Sequence, residues 1–159
     1  MADKICSFSG HRQIYKIHSD SLPLILSETV ETLINSGVSV FQSGGAMGFD
    51  LLAARTVLEK KTKHPGIQLR MLLPCRDQAS RWAGKIRQEY ETILSLADEV
   101  SYISEAYDKF CMQKRNRALV DSADILLCYL IRSFGGTMHT VNYAYDKNLQ
   151  IVNLASLLK

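Results

Sequence analysis

Apolar residues along this chain gather into six short clusters, separated by longer stretches in which they return every third or fourth position. The clusters occupy residues 4–9, 38–42, 67–73, 99–103, 125–130 and 150–154. The fifth, Ile125-Leu126-Leu127-Cys128-Tyr129-Leu130, is apolar throughout, the pattern of a strand covered on both faces. The intervening stretches predict five helices. The first, over about residues 22–36, puts Leu26, Val30 and Leu33 on one stripe, with Pro23 near its start and Gly37 beyond its end. The second follows Gly44-Gly45 and carries Met47, Leu51, Ala54 and Leu58; the third carries Trp82, Ile86, Tyr90, Ile93 and Ala97. A fourth covers residues 109–121, and a fifth begins after Gly135-Gly136 and runs towards Lys147. Strands alternating with helices are the mark of βαβ units. The expected fold is therefore α/β, a Rossmann-like three-layer sandwich with a mostly parallel sheet of about six strands and helices on both faces.

Composition narrows this picture in three ways. With 159 residues, 47% of them hydrophobic, the chain can fill one continuous core, so a single domain over residues 1–159 is expected. The net charge is only +3, and the densest basic run, Lys60, Lys61 and Lys63, falls at a helix end where it favours the helix dipole. With no basic stripe and no interleaved aromatics, nucleic acid is a disfavoured partner. The four cysteines, Cys6, Cys75, Cys111 and Cys128, have neither CxxC spacing nor paired histidines, so reduced thiols, no metal and a cytoplasmic location are expected. The beginning of the chain reads as neither a signal peptide nor a membrane span.

Open parallel sheets bind ligands outside the carboxyl ends of their strands, and the unusual residues of this chain collect there. The first cluster runs into Gly10-His11-Arg12, the second into Ser43-Gly44-Gly45-Ala46-Met47-Gly48-Phe49-Asp50, the third into Pro74-Cys75-Arg76, and the fifth leads to Phe134-Gly135-Gly136-Thr137. Two Gly-Gly pairs between strand and helix can leave free N–H groups aimed at an anion; either pair alone reads equally well as a tight turn. Neither matches GxxxxGK[ST], because Phe49-Asp50 follow Gly48, which disfavours nucleoside triphosphate hydrolysis.

The segments GHR, SGGAMGFD, PCRDQASRW, MQKRN and GGTMHT, in this order and at these junctions, resemble the YpsA-like branch of the SLOG superfamily. That branch is related to the LOG phosphoribohydrolases and to the Rossmann-like core of the DNA-processing protein DprA. The resemblance implies a fold whose loops bind nucleotides, nucleotide sugars or NAD-related ligands, with no resident cofactor. It places Arg115 of Met112-Gln113-Lys114-Arg115-Asn116 near phosphate or ribose, while Asn116 can reach the pocket or cap a turn. It breaks where the LOG enzymes carry a catalytic Glu in PGGxGTxxE, for Thr140 stands at that position and Phe134 replaces the proline. A threonine cannot act as a carboxylate base.

Several candidates admit a plainer reading. Arg12 and Arg115 can grip phosphate bidentately or be surface charges. His11 can meet ligand, though a loop histidine is more often exposed. Asp50 can hold a ribose hydroxyl, act as a base, or favour the dipole of its helix. Trp82 can stack on a base whose edge Gln78 reads, or pack in the core, and the core is favoured because Trp82 falls on the helix stripe. Cys75 reads as a structural thiol. Thr137 can cap its helix, bind an anion there, or both. The function expected is that of a sensor or sequestering protein for a small nucleotide-like ligand. The alternatives are hydrolysis of an N-glycosidic or phosphoester bond, with Asp50 and Arg115 as catalytic candidates, and DprA-like nucleic-acid binding. Homo-oligomerisation is also expected.

Overall fold

A computed structural model describes residues 3–158. The six apolar clusters are strands of one sheet: β1 (Lys4–Gly10), β2 (Val38–Ser43), β3 (Gln68–Cys75), β4 (Glu99–Ser104), β5 (Ile125–Tyr129) and β6 (Gln150–Asn153). They lie in the order β4-β3-β2-β1-β5-β6, every neighbouring pair parallel. The helices between them are α1 (Ser21–Asn35), α2 (Phe49–Lys61), α3 (Gly84–Leu96), α4 (Cys111–Asp121) and α5 (Gly136–Asp146). Right-handed crossovers send the helices linking β1 to β4 to one face and those leading through β5 to β6 to the other. Accordingly α1 packs on α2 and α2 on α3, whereas α4 packs on α5. This is the Rossmann-like sandwich that the periodicity predicts. The strand order reverses between β1 and β5, and the crevice favoured for ligands lies above that junction.

The core is lopsided. On the α1–α3 face a large cluster includes Phe8, Leu26, Phe41, Leu69 and Met71, all fully buried; Phe8 and Phe41 stack with centroids 5.9 Å apart. Under α4 and α5 the buried apolar cluster is Val120, Leu126, Cys128 and Ala144. Buried polar groups also lie on the α4 side: Ser7 donates to the Leu119 carbonyl at 2.7 Å, and the Gln42 amide donates to Ser7 at 3.0 Å and to Ser122 at 2.8 Å. Each donor has an acceptor, which offsets the cost of burying it.

Several element ends depart from the periodic pattern. Met47 precedes α2, and Trp82 and Ala97 lie outside α3 although their spacing continues its stripe. The fourth helix begins at Cys111, not at residue 109. β3 runs through Pro74 to Cys75; the proline is tolerated because pairing with β2 ends at Met71 and pairing with β4 passes from Leu73 to Cys75. In place of a single stripe, α2 buries Phe49, Leu51, Leu52, Ala53, Ala54 and Val57, since α1 and α3 flank it on the sheet.

All four cysteines are free and buried. Burial pushes the Cys75 and Cys128 thiols up to about 12 and raises that of Cys6 as well, so they stay protonated core groups. Among the described residues no helix is long and apolar enough to cross a membrane.

Candidate functional site

The loop after β1 and the amino end of α2 are pressed together. A Cβ on Gly10 would lie 2.4 Å from the Phe49 ring, and one on Gly48, whose φ is +84°, would lie 2.1 Å from the Arg12 carbonyl oxygen. The Phe49 N–H donates to the His11 carbonyl at 3.2 Å. These two glycines therefore dock α2 onto β1.

In the loop over residues 43–48, two of the N–H groups expected to face an anion, those of Gly45 and Ala46, are taken by side chains of the loop and of α2. Ser43 Oγ donates to the Asp50 carbonyl at 2.9 Å and accepts the Gly45 N–H at 3.2 Å, while the Ala46 N–H donates to Asp50 Oδ2 at 3.3 Å. The loop acts to hold Asp50 in place. The second Gly-Gly pair behaves differently. Gly135 adopts φ +95° with open space around it, and no side chain caps α5. The first N–H groups of a helix have no acceptor within the helix, so the amino end of α5 is free to receive an anion.

That end opens onto a cavity of about 280 Å³ above β1 and β5. Asp50, Arg115, Asn116 and His11 line it, and Arg12 and Arg132 stand exposed at its rim. Asp50 is 6% exposed and its Oδ1 has no hydrogen-bond partner. Burial raises its carboxyl to about 6, against the opposing pull of Arg115. The buried Arg115 guanidinium donates to the Gly44 carbonyl and, through Nε, to Asn116 Oδ1 at 2.8 Å. Burial lowers its pKa, with Asp50 as the largest opposing influence.

His11 is buried, not exposed as a loop histidine would be. Its Nε2 accepts the Ile131 N–H at 3.0 Å, which puts the proton of a neutral ring on Nδ1. Arg132 Nη2 lies 3.1 Å from that nitrogen, donor facing donor. Burial first, then the Arg132 charge, holds the imidazole below its ordinary pKa and so neutral. Arg132 rests over the Phe134 ring at 5.5 Å. Among the described residues neither it, Arg12 nor Arg115 forms a salt bridge.

A second cavity of about 840 Å³ adjoins the first, with Arg12 and Ala46 in both walls. Gln78, Trp82, Tyr107 and Met112 line it. The structure thus splits the candidates. Gly10, Gly135, Gly136 and Thr137 join Asp50, Arg115, Asn116 and His11 around the smaller cavity, and Gln78 and Trp82 face the larger one. Ser43, Gly44, Gly45, Gly48 and Pro74 line neither. Trp82 combines both of its readings: half-buried against the core and part of the cavity wall. Arg132 and Tyr107 carried no motif and were missed; a basic residue between a strand end and a Gly-Gly pair was the available signal for the first.

An all-parallel sheet with a cavity at its switch point and a glycine-led helix at the mouth defines a Rossmann-like domain. DNA processing protein A from Helicobacter pylori, a single-stranded DNA binder, superposes with a TM-score of 0.66 at 21% identity, covering 93% of this chain and 64% of that one. The chain belongs to the YspA SLOG family, whose model matches residues 9–152. It is 37% identical over 102 residues to a UPF0398 protein of Halalkalibacterium halodurans, covering 63% of this chain and 54% of that protein. It is also 31% identical over 117 residues to the SPbeta prophage-derived protein YoqJ of Bacillus subtilis, covering 65% of this chain and 68% of that one. The chain therefore spans about half to two thirds of the length of these two relatives.

Proposed function

We propose that this chain binds a nucleotide or nucleotide-derived ligand above β1 and β5, its phosphate on the amino end of α5, and holds it as a sensor or sequestering protein. One observation carries the reading: the uncapped helix end, three arginines that form no salt bridge among the described residues and the orphaned Asp50 Oδ1 converge on one cavity. The helix end and guanidinium groups suit phosphate oxygens. Asp50 Oδ1 suits a sugar hydroxyl, which has a proton to donate.

The test is a thermal-shift panel of nucleoside phosphates, NAD and ADP-ribose on the native protein and on Gly136→Val. A Cβ at Gly136 would have Asn116 Nδ2 at 3.8 Å as its nearest contact, so the substitution covers the amides without crowding the fold. The native protein is expected to melt several degrees higher with a bound ligand, and the variant to lose that shift. An unchanged shift in the variant would remove the helix end from the reading. Gly45 makes a poor probe, because a Cβ there would meet Leu73 at 2.6 Å.

The second reading is hydrolysis. A carboxyl with a pKa of about 6 titrates close to neutrality and can serve as acid or base. Thr140 cannot supply that group: it is buried and its Oγ1 donates to the Gly136 carbonyl at 2.9 Å. Ribose 5-phosphate release from a nucleoside monophosphate, abolished in Asp50→Asn, would establish turnover; the binding reading expects none.

A further inference from the structure

We propose that the larger cavity receives a nucleobase, stacked beside Trp82 and read along its edge by Gln78, so that the ligand is a two-ended nucleoside phosphate lying across Arg12 and Ala46. The inference rests on the phosphate site at α5 and extends it to the far end of the molecule.

Trp82 does not owe its place to a helix. It closes a turn in which its N–H donates to the Ala79 carbonyl at 3.0 Å and the Ser80 N–H to the Asp77 carbonyl at 3.1 Å. Its ring meets Tyr90 edge to face, centroids 5.0 Å apart and planes at 78°, a contact that covers at most one face of the indole. The side chain packs against the core and also lines the cavity. A flat aromatic partner of any base can occupy that wall, since every base presents a π face.

Gln78 adds direction. Its Nε2 donates to the Tyr90 hydroxyl at 3.4 Å, while its Oε1 is buried with no partner. A buried carbonyl left unpaired is costly and is answered by a donor from a ligand. Nucleobase edges place an N–H beside an acceptor, matching an amide that keeps one polar atom for the ligand. Tyr90, 4% exposed on α3, anchors the other end of that amide. The shared wall of Arg12 and Ala46 lets one molecule keep its base here and its phosphate on α5.

Trp82 is the sole tryptophan, so intrinsic fluorescence reports this compartment. Adenosine, guanosine, cytidine and uridine diphosphates are titrated against inorganic pyrophosphate, with melting temperature read in parallel. At least one nucleoside diphosphate is expected to quench the emission and raise the melting temperature, and pyrophosphate to raise the melting temperature alone. Gln78→Leu is expected to weaken that nucleotide at least tenfold while changing pyrophosphate binding less than twofold; Gln78→Glu, of equal size, replaces it if the leucine variant unfolds. Nucleotides that stabilise the protein without changing its emission, and bind Gln78→Leu normally, overturn the base site and leave the phosphate site standing. If pyrophosphate stabilises but no nucleotide does, the result is the same. If neither stabilises the native protein, both readings fall.

Discussion

Arg115 and Asp50 show how far a side chain's identity is from its state. Both were legible as candidates, the arginine from MQKRN and the aspartate from its place behind GGAMG, but nothing in the letters said that both would be buried. Burial makes them interdependent. Asp50 holds its proton more tightly in the fold than in the open chain, so its contribution is complete below its ordinary value of 3.8 and is lost as pH rises through about 6. The loss amounts to at most about 3 kcal/mol. Urea unfolding between pH 4 and 7.5 should show stability declining over that window, and Asp50→Asn should flatten the decline. Arg115→Met leaves the Gly44 carbonyl and the Asn116 side-chain oxygen without their donor and Asp50 without its nearby positive charge, and should cost about 2–4 kcal/mol in the same assay. Arg132→Ala, at an exposed residue, should leave stability within about 0.5 kcal/mol and weaken pyrophosphate binding about tenfold by titration, the effect of roughly 1.4 kcal/mol. The burial of His11 was not legible, because its ring meets Ile131 and Arg132, about 120 residues distant in sequence.

At the scale of elements, period-3.6 and strand-like clustering were sufficient for six strands, five helices and their order. They failed at the ends, where a turn can continue a helical spacing for a residue or two, as Met47 and Trp82 do. They also could not separate the two Gly-Gly pairs. Before α2 the Gly45 and Ala46 N–H groups donate to Ser43 and Asp50, whereas no side chain caps α5 behind the second pair, a difference made by hydrogen bonds and not by composition. The docking of α2 gives a sharp test. Gly10→Ala places a methyl against the Phe49 ring and should destabilise the protein by about 1–3 kcal/mol in thermal or chemical unfolding. A variant as stable as the native chain would mean that α2 can shift freely on β1.

The molecule as a whole is built from two unequal halves. The α1–α3 face carries most of the buried apolar surface, whereas α4 and α5 rest on a small cluster beside polar groups. Amide exchange should therefore open α5 and β6 before α1 and α2, because local stability follows buried apolar contact. A ligand on the amino end of α5 should slow exchange there most. Uniform exchange across the sheet would contradict this asymmetry.

The wall common to the two cavities turns binding into a question of linkage. Two fragments, one for each compartment, each meet only part of the site and each lose their own freedom on binding. Joined through a sugar of suitable span, the second is delivered at a high local concentration by the first, and affinity rises well beyond either alone. If one ligand spans both cavities as proposed, residues 12 and 46, which line both, would set its length, and lengthening or shortening that bridge should matter more than any single contact at its ends.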